Sequence, residues 1–222
     1  MATRIALIHA LAHSVAPINS VMERDWPEAQ RMNLLDDSLS ADLARTQTRG
    51  GAGLDAAMHQ RFEALAAYAE STGAQAILFT CSAFGPCIEA VASRRPHVPV
   101  LKPNEAMISE AVAAVHGGGR IGLVASFAPT LQSMPAEFPA GTDLRVGLAD
   151  GAMDALNAGQ GAVHDARVVD AARRLQAQGC VVIALAQFSM ARARSAVEQA
   201  LGLPVFTTPD SAVRVLRQRL GG

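Results

Sequence analysis

Arg4-Ile5-Ala6-Leu7-Ile8 returns later in the chain as Arg120-Ile121-Gly122-Leu123-Val124, and these two copies frame everything between them. Each is a continuously apolar run behind one arginine, the pattern of a strand covered on both faces of a sheet. In the first half a helical segment ends at Gly73, an apolar strand follows, and Cys81 stands eight residues after the glycine. In the second half a helical segment ends at Gly179, a strand follows, and Gln187 stands eight residues after it. A match in both sequence and spacing points to duplication of one α/β unit.

Further strand candidates are 31–35, 76–80, 98–101, 144–148, 181–186 and 205–207, and helix candidates include 53–71, 104–115, 166–177, 190–200 and 210–220. Such alternation predicts parallel sheets with right-handed crossovers. The expected fold is α/β, with two pseudo-symmetric flavodoxin-like domains, mainly parallel sheets and an interdomain cleft. The first domain is expected over 1–103 and the second over 104–204, the terminal strand and helix (205–222) returning to the first. Gly73 and Gly179 suit helix ends, and Pro99, Pro103 and Pro204 flank strands. The run Gly117-Gly118-Gly119 reads as a hinge or turn between the halves.

The chain has 222 residues, half of them apolar, and a net charge of −1 from 19 basic and 20 acidic side chains. At this length folding buries about 70% of the unfolded chain's surface, so a large core needs no metal or disulfide. Near-neutral charge argues against a nucleic-acid partner, which requires a basic face. The apolar runs are far shorter than the roughly 20 residues of a membrane span, so no membrane partner is expected. Met1-Ala2-Thr3-Arg4 runs into a strand with no signal-peptide plan, and a cytoplasmic location is expected. Three cysteines cannot all pair, which favours reduced thiols.

In parallel α/β sheets ligands gather at the carboxyl ends of strands. Cys81 and Gln187 both fall there, and two facing domains would bring them to one cleft from opposite sides. The sharpest motif is Thr80-Cys81-Ser82-Ala83-Phe84-Gly85. Backbone N–H groups at such a turn bind a carboxylate, including those of Ser82 and Ala83. The hydroxyls of Thr80 and Ser82 add donors. The same field is expected to lower the Cys81 pKa, since an ordinary thiol is only about 3% ionised at pH 7. Cys81 is thus a candidate nucleophile or acid/base, the alternative being a small buried hydrophobe. Cys87, inside the next helix, and Cys180, opening a strand, read as packing. The Cys81–Cys87 spacing fits neither a zinc pair nor a Cys-x-x-Cys site, so no metal is expected.

The turn at 80–85, the segment Ile121-Gly122-Leu123-Val124-Ala125-Ser126 with Thr130, and the mirrored stretch from Gly179 to Gln187 resemble the aspartate/glutamate/hydantoin racemase superfamily, which includes arylmalonate decarboxylase and maleate isomerase. The resemblance implies two α/β domains and a cofactor-free site between them. It also implies a cysteine from each domain flanking the substrate α-carbon, with turn amides and hydroxyls, Ser126 and Thr130 among them, holding a carboxylate. The first cysteine maps onto Cys81. The second position reads Ala186-Gln187-Phe188-Ser189-Met190, without a thiol. An amide does not exchange protons near neutral pH, so Gln187 is a hydrogen-bonding partner rather than a second acid/base. One working cysteine is roughly the mirror of arylmalonate decarboxylase, where it lies in the second half.

Three histidines are candidates for the missing role, because imidazole titrates in the right range. His9 sits at a strand's carboxyl end, His13-Ser14 lies in the same loop where it can touch substrate, and His164 precedes Asp165 at a helix start. Asp36 and Asp37 end a strand and read as a base and its partner, or as caps for a helix from Ser38 or Ser40. Lys102 in Lys102-Pro103-Asn104-Glu105 is a candidate for a second substrate carboxylate, or a surface residue before an N-cap at Asn104. Trp26 either covers the site or packs. Phe62, Leu65 and Tyr68 share a helical face, open to core packing or to a second copy of the chain.

The leading expectation is a cofactor-independent racemase or isomerase acting at the α-carbon of a small carboxylate or amino acid through Cys81. The alternatives are a stereoselective decarboxylase with one cysteine, a non-catalytic small-acid binding protein, and a redox sensor using Cys81 and Cys87.

Overall fold

The architecture comes from a computed structural model that describes residues 3–48, 54–115 and 118–221. The first half runs β1 (Arg4–His9), α1 (Val15–Asp25), β2 (Gln30–Leu35), α2 (Ser38–Thr48), α3 (Ala56–Ser71), β3 (Ala76–Phe79), α4 (Gly85–Arg94) and β4 (Val100–Leu101). Next come α5 (Glu105–Ala114), β5 (Arg120–Ala125), α6 (Ala128–Ser133), β6 (Leu144–Leu148), α7 (Ala152–Asn157) and α8 (Gly161–Ala177). The chain closes with β7 (Cys180–Leu185), α9 (Arg194–Leu201), β8 (Val205–Thr207) and α10 (Thr208–Arg219). Two sheets form, in the orders β2-β1-β3-β4 and β6-β5-β7-β8, and every pairing is parallel. The duplicated α/β reading holds at the level of strand order.

Two compact units result, Met1–Pro103 with Ala212–Gly222, and Asn104–Ser211. The strand expected to return to the first unit does not. β8 pairs with β7 through Ile183↔Val205 and Leu185↔Thr207, so the second unit runs on to Ser211. Val205 is buried, and an apolar strand needs a neighbour on its open edge. Spacing alone does not say which sheet supplies it.

In the first unit, Ile8, Ile77 and Phe79 pack with Phe62, Phe84, Ile88 and Val91. In the second, one sheet face meets α8 and α9 through Ile183, Leu185, Val168, Leu175 and Val197. The other face meets α5 through Leu123, Val182, Met107 and Ile108. Burial on both faces explains the unbroken apolar runs of β3 and β7. The flanking strand β2 is solvated at Gln30, Arg31 and Asn33.

The repeat's leading arginine has the same task in both units. Arg4 donates from Nη1 to the Thr72 carbonyl, and Arg120 donates from Nη1 to the Gln178 carbonyl. Each carbonyl ends a helix just before a left-handed glycine, Gly73 at φ +81° or Gly179 at φ +84°. A side chain at either glycine would meet the left-handed penalty of about 1–2 kcal/mol.

Several boundaries differ from expectation. The helix foreseen from Gly53, which lies outside the described residues, begins at Ala56, where Asp55 accepts from the Met58 N–H at 2.8 Å. The segment foreseen as a helix from Met190 is a 3₁₀ turn over Phe188–Ala193 before α9. Asn104 stands at the N-cap of α5 without capping it through its side chain. Gly117 of the expected hinge lies outside the described residues. Among the described residues no helix is long and apolar enough to cross a membrane.

Candidate active site

Cys81 leaves β3 in an extended conformation, φ −126° and ψ 119°, directly before a 3₁₀ turn over Ser82–Phe84 and then α4. Its half-buried thiol shares a crevice with Ile8, Ala10, Leu39, Phe62 and Phe79. The Ala83 backbone N–H and the Ser40 side chain of α2 act to lower its pKa. Burial among the apolar neighbours outweighs both and pushes the thiol above its ordinary value. The expected fall in pKa is therefore corrected. The turn favours the thiolate in part, but desolvation dominates and keeps Cys81 protonated at neutral pH.

His9 is fully buried, and its tautomer follows from a chain of fixed donors and acceptors. The Val15 carbonyl can only accept, so Asn19 turns Nδ2 to it at 2.8 Å. The same Nδ2 lies 2.9 Å from Asn33 Oδ1, which makes that oxygen an acceptor. His9 Nε2, also 2.9 Å from Asn33 Oδ1, must then carry the proton. In the neutral ring Nδ1 is left to accept, and the Thr80 hydroxyl donates to it at 2.8 Å. Thr80, foreseen as a donor to substrate, donates its hydrogen bond to His9 instead. Burial holds His9 below its ordinary value of 6.5, the Asn33 bond opposing this in part.

A stability prediction follows. Between the lowered folded pKa and 6.5 the unfolded chain binds more protons, so stability rises with pH there. His9 stabilisation is complete above 6.5 and is lost as pH falls toward the folded value. Denaturant unfolding across mildly acidic pH should show this decline, and His9→Gln should flatten it. An unchanged slope would refute the neutral buried ring.

The helix carrying Ser40 is clamped at its start. Arg61 of α3 donates to Asp36 Oδ2, Asp42 Oδ2 and Ser38 Oγ, each at 2.6 Å. Ser38 in turn donates to Asp36 Oδ1 at 2.6 Å. Burial opposes ionisation of Asp36, but Ser38 and Arg61 outweigh it and hold the carboxyl below its usual range. Asp36 is thus an anchor for α2, while Asp37 is exposed.

In the second unit Gln187 occupies the position equivalent to Cys81. It is extended, φ −130° and ψ 145°, ahead of its own 3₁₀ turn. The Ser126 backbone N–H donates to Gln187 Oε1 at 2.6 Å and the Ser126 hydroxyl at 2.9 Å. A backbone N–H cannot accept, so the amide orientation is fixed and Nε2 remains as a donor. The strand-end polar pair of the first unit, His9 and Thr80, corresponds here to Ala125 and Ala186. These stand at the same points of the ladder, since Thr80 N–H bonds Ile8 O and Ala186 N–H bonds Val124 O. Thr130 is buried in α6.

His164 lies in the first turn of α8, fully buried rather than solvated. Its Nδ1 is 2.8 Å from Asp165 Oδ1. Asp165 accepts Nε and Nη2 of Arg192 at 2.9 and 3.2 Å, tying α8 to the turn that follows Gln187. Ser14 is buried, and His13 and Ser82 are partly exposed. Lys102 pairs with Glu89 at 2.7 Å. Trp26 is buried and therefore packs. Cys87 and Cys180 are buried free thiols, both raised chiefly by burial, Cys87 to about 11. Ser40, Asn19, Asn33 and Arg61 were not foreseen as contributors. The one available signal was Asn33 between Met32 and Leu34, a polar residue inside a strand. Among the described residues no group of three or more His, Cys, Asp or Glu side chains is placed to hold a metal ion.

Two parallel sheets of the same order, each carrying a polar residue where its third strand turns into a helix, define a duplicated α/β protein with candidate chemistry at its strand ends. The chain belongs to the Asp/Glu/hydantoin racemase family, whose model matches residues 15–216. Solved structures share the fold. Glutamate racemase isoform RacE1 from Bacillus anthracis superposes with a TM-score of 0.74 at 13% identity, covering 99% of this chain and 82% of that one. Allantoin racemase from Klebsiella pneumoniae gives 0.70 at 16% identity, with 99% and 88% covered. A liganded double mutant of arylmalonate decarboxylase gives 0.64 at 18% identity, with 99% and 93% covered. No curated protein sequence matches this chain.

Proposed function

We propose that this protein is a cofactor-independent enzyme of the racemase and isomerase type, acting at the α-carbon of a small carboxylate or amino acid with Cys81 as the acid/base. The observation that carries the proposal is the place of Cys81: it follows β3 directly, ahead of a 3₁₀ turn and α4, where ligands gather in parallel sheets, and burial keeps its thiol protonated at neutral pH. In the isomerase reading the Cys81 thiolate takes the α-proton of the substrate and the resulting thiol returns it at another position on the same face. In the decarboxylase reading loss of carbon dioxide leaves an electron pair on carbon, the thiol protonates it, the S–H electron pair stays on sulfur, and solvent restores the thiol proton.

Gln187 is assigned a hydrogen-bonding role through Nε2, with Ser126 fixing its amide. His13, Ser14, Ser82 and Thr130 are assigned to substrate binding. With an amide at position 187, exchange between two thiols is not part of this proposal. An isomerisation that moves a proton along one face needs a single acid/base. Stereoselective decarboxylation is the second reading, favoured by the same protonated thiol, since loss of carbon dioxide leaves a carbanion that needs only a proton. The racemase family membership and the decarboxylase among the structural relatives support keeping both reactions in one class.

Incubation in deuterium oxide with a panel of small 2-substituted carboxylates and their malonate counterparts tests this. Deuterium at the α-carbon without carbon dioxide supports isomerase chemistry, and carbon dioxide with a deuterated product supports decarboxylation. A folded protein that binds members of the panel yet gives neither signal would overturn the enzyme reading in favour of a binding protein.

A further inference from the structure

The start of α8 exchanges a cap for a clamp. Gly73 and Gly179, like Cys81 and Gln187, keep one offset along the chain, and the same offset pairs Asp55 with Gly161. Asp55 caps α3 by accepting the Met58 N–H at 2.8 Å, whereas α8 has no side-chain cap at its start. A Cβ on Gly161 would run into the guanidinium of Arg192, 2.6 Å from Cζ. The missing side chain makes room for Arg192, which closes on Asp165 through Nε at 2.9 Å and Nη2 at 3.2 Å. We propose that Gly161, Asp165 and Arg192 are positioning residues for Gln187, holding the turn that follows it so that its amide stays on Ser126.

An exposed ion pair alone holds little, and the Arg192 side chain is 44% exposed. Two features make this pair a fixed point. Its two N–H···O bonds set the angle of the guanidinium as well as its place. The carboxylate is also rooted in the core, because Asp165 Oδ1 accepts the Nδ1–H of the fully buried His164 at 2.8 Å. Arg192 lies near the far end of the turn over Phe188–Ala193. At the near end the Gln187 carbonyl accepts the Met190 N–H at 3.0 Å. Between these ends the buried Phe188, Met190 and Ala193 supply packing that has no direction of its own. The clamp therefore sets the register of the turn on α8. With it comes the backbone from which the Gln187 side chain reaches the Ser126 N–H at 2.6 Å and hydroxyl at 2.9 Å. In the first unit Pro86 stands where Arg192 does, with no side-chain donor to offer.

This inference rests on Gln187 as the hydrogen-bonding group of the second unit, but its test reads the Gln187 contact directly and needs no turnover, so the two can fail separately. The probe is the Ser126 backbone amide of the isotope-labelled full chain in NMR, followed for its proton shift and its hydrogen-exchange rate. Gln187→Ala gives both values without the contact. Arg192→Gln and Gly161→Ala should each carry the shift more than half of the way to that value. Each should also speed Ser126 exchange about threefold to tenfold, the range for one hydrogen bond. Gly161→Ala keeps the fold secure, since alanine is the better helix former and the atoms it displaces are the end of a flexible side chain. The Ile183 N–H, bonded to the Pro204 carbonyl at 3.0 Å, reports the sheet itself and should stay within about twofold of the parent. A merely structural clamp would speed Ser126 and Ile183 together. A Ser126 shift that stays closer to the parent than to Gln187→Ala in either variant overturns the proposal, and so does an Ile183 rate that rises as far as the Ser126 rate.

Discussion

Cys81→Ser is expected to abolish turnover, by about 10³-fold or more, while both sheets remain folded. General acid–base catalysis contributes roughly 10²–10⁴-fold, and a serine hydroxyl is a far weaker acid than a thiol, so the proton would have no donor. The change in volume is small and the position is only half-buried, which keeps the cost to folding low. Cys87→Ala makes the contrast. Cys87 is fully buried in the first core, so its loss should lower stability and leave the chemistry in place. Product formation and circular dichroism measured side by side on the two variants give the answer. If Cys81→Ser kept more than a tenth of the parent activity, the acid/base role would be lost.

The largest stability effect is expected from Phe62→Ala. Phe62 of α3 stacks on Phe79 of β3 with ring centroids 5.1 Å apart and meets Phe84 at 5.0 Å. Phe79 and Phe84 bracket Cys81, one ending the strand before it and the other ending the turn after it. Truncating such a ring costs about 3–5 kcal/mol, a large share of the roughly 5–15 kcal/mol that holds a domain together. Two aromatic contacts of about 0.5–1.5 kcal/mol each are part of that loss. The first unit should therefore unfold at a temperature lower by on the order of 10 °C. Its Cys81 should also alkylate faster at high pH, because the turn that shields the sulfur loses its backing. A scanning-calorimetry shift of less than about 2 °C would show that the cluster does not carry the unit. Loss of stability with no change in alkylation would separate the core from the site.

The two effects show how the fold serves the site. Burial beside the aromatic cluster makes Cys81 hard to ionise, and the same packing backs the turn that follows it. In the second unit an amide needs no such environment, and Gln187 is held by Ser126 alone among the described residues. The duplicated ladder therefore presents different side chains at equivalent places, a thiol at one and an amide at the other.

Much of the fold is legible in the residues themselves. The apolar runs at 4–8 and 120–124, the glycines at 73 and 179 and the alternation of strands and helices are local signals, set by backbone sterics and hydrophobic period. They suffice for two parallel α/β units and for Cys81 and Gln187 at matching strand ends. The strand at 205–207 is legible as a strand but not as a member of the second sheet, since edge pairing depends on which neighbour is near. The protonation of Cys81, the tautomer of His9 and the orientation of Gln187 belong wholly to the tertiary structure. Each depends on groups distant in sequence: Ser40 and Phe62 around the thiol, Asn33 beside the imidazole, Ser126 against the amide. A pKa or a hydrogen-bond direction is a balance of desolvation and partners, and the partners exist only once the chain has packed.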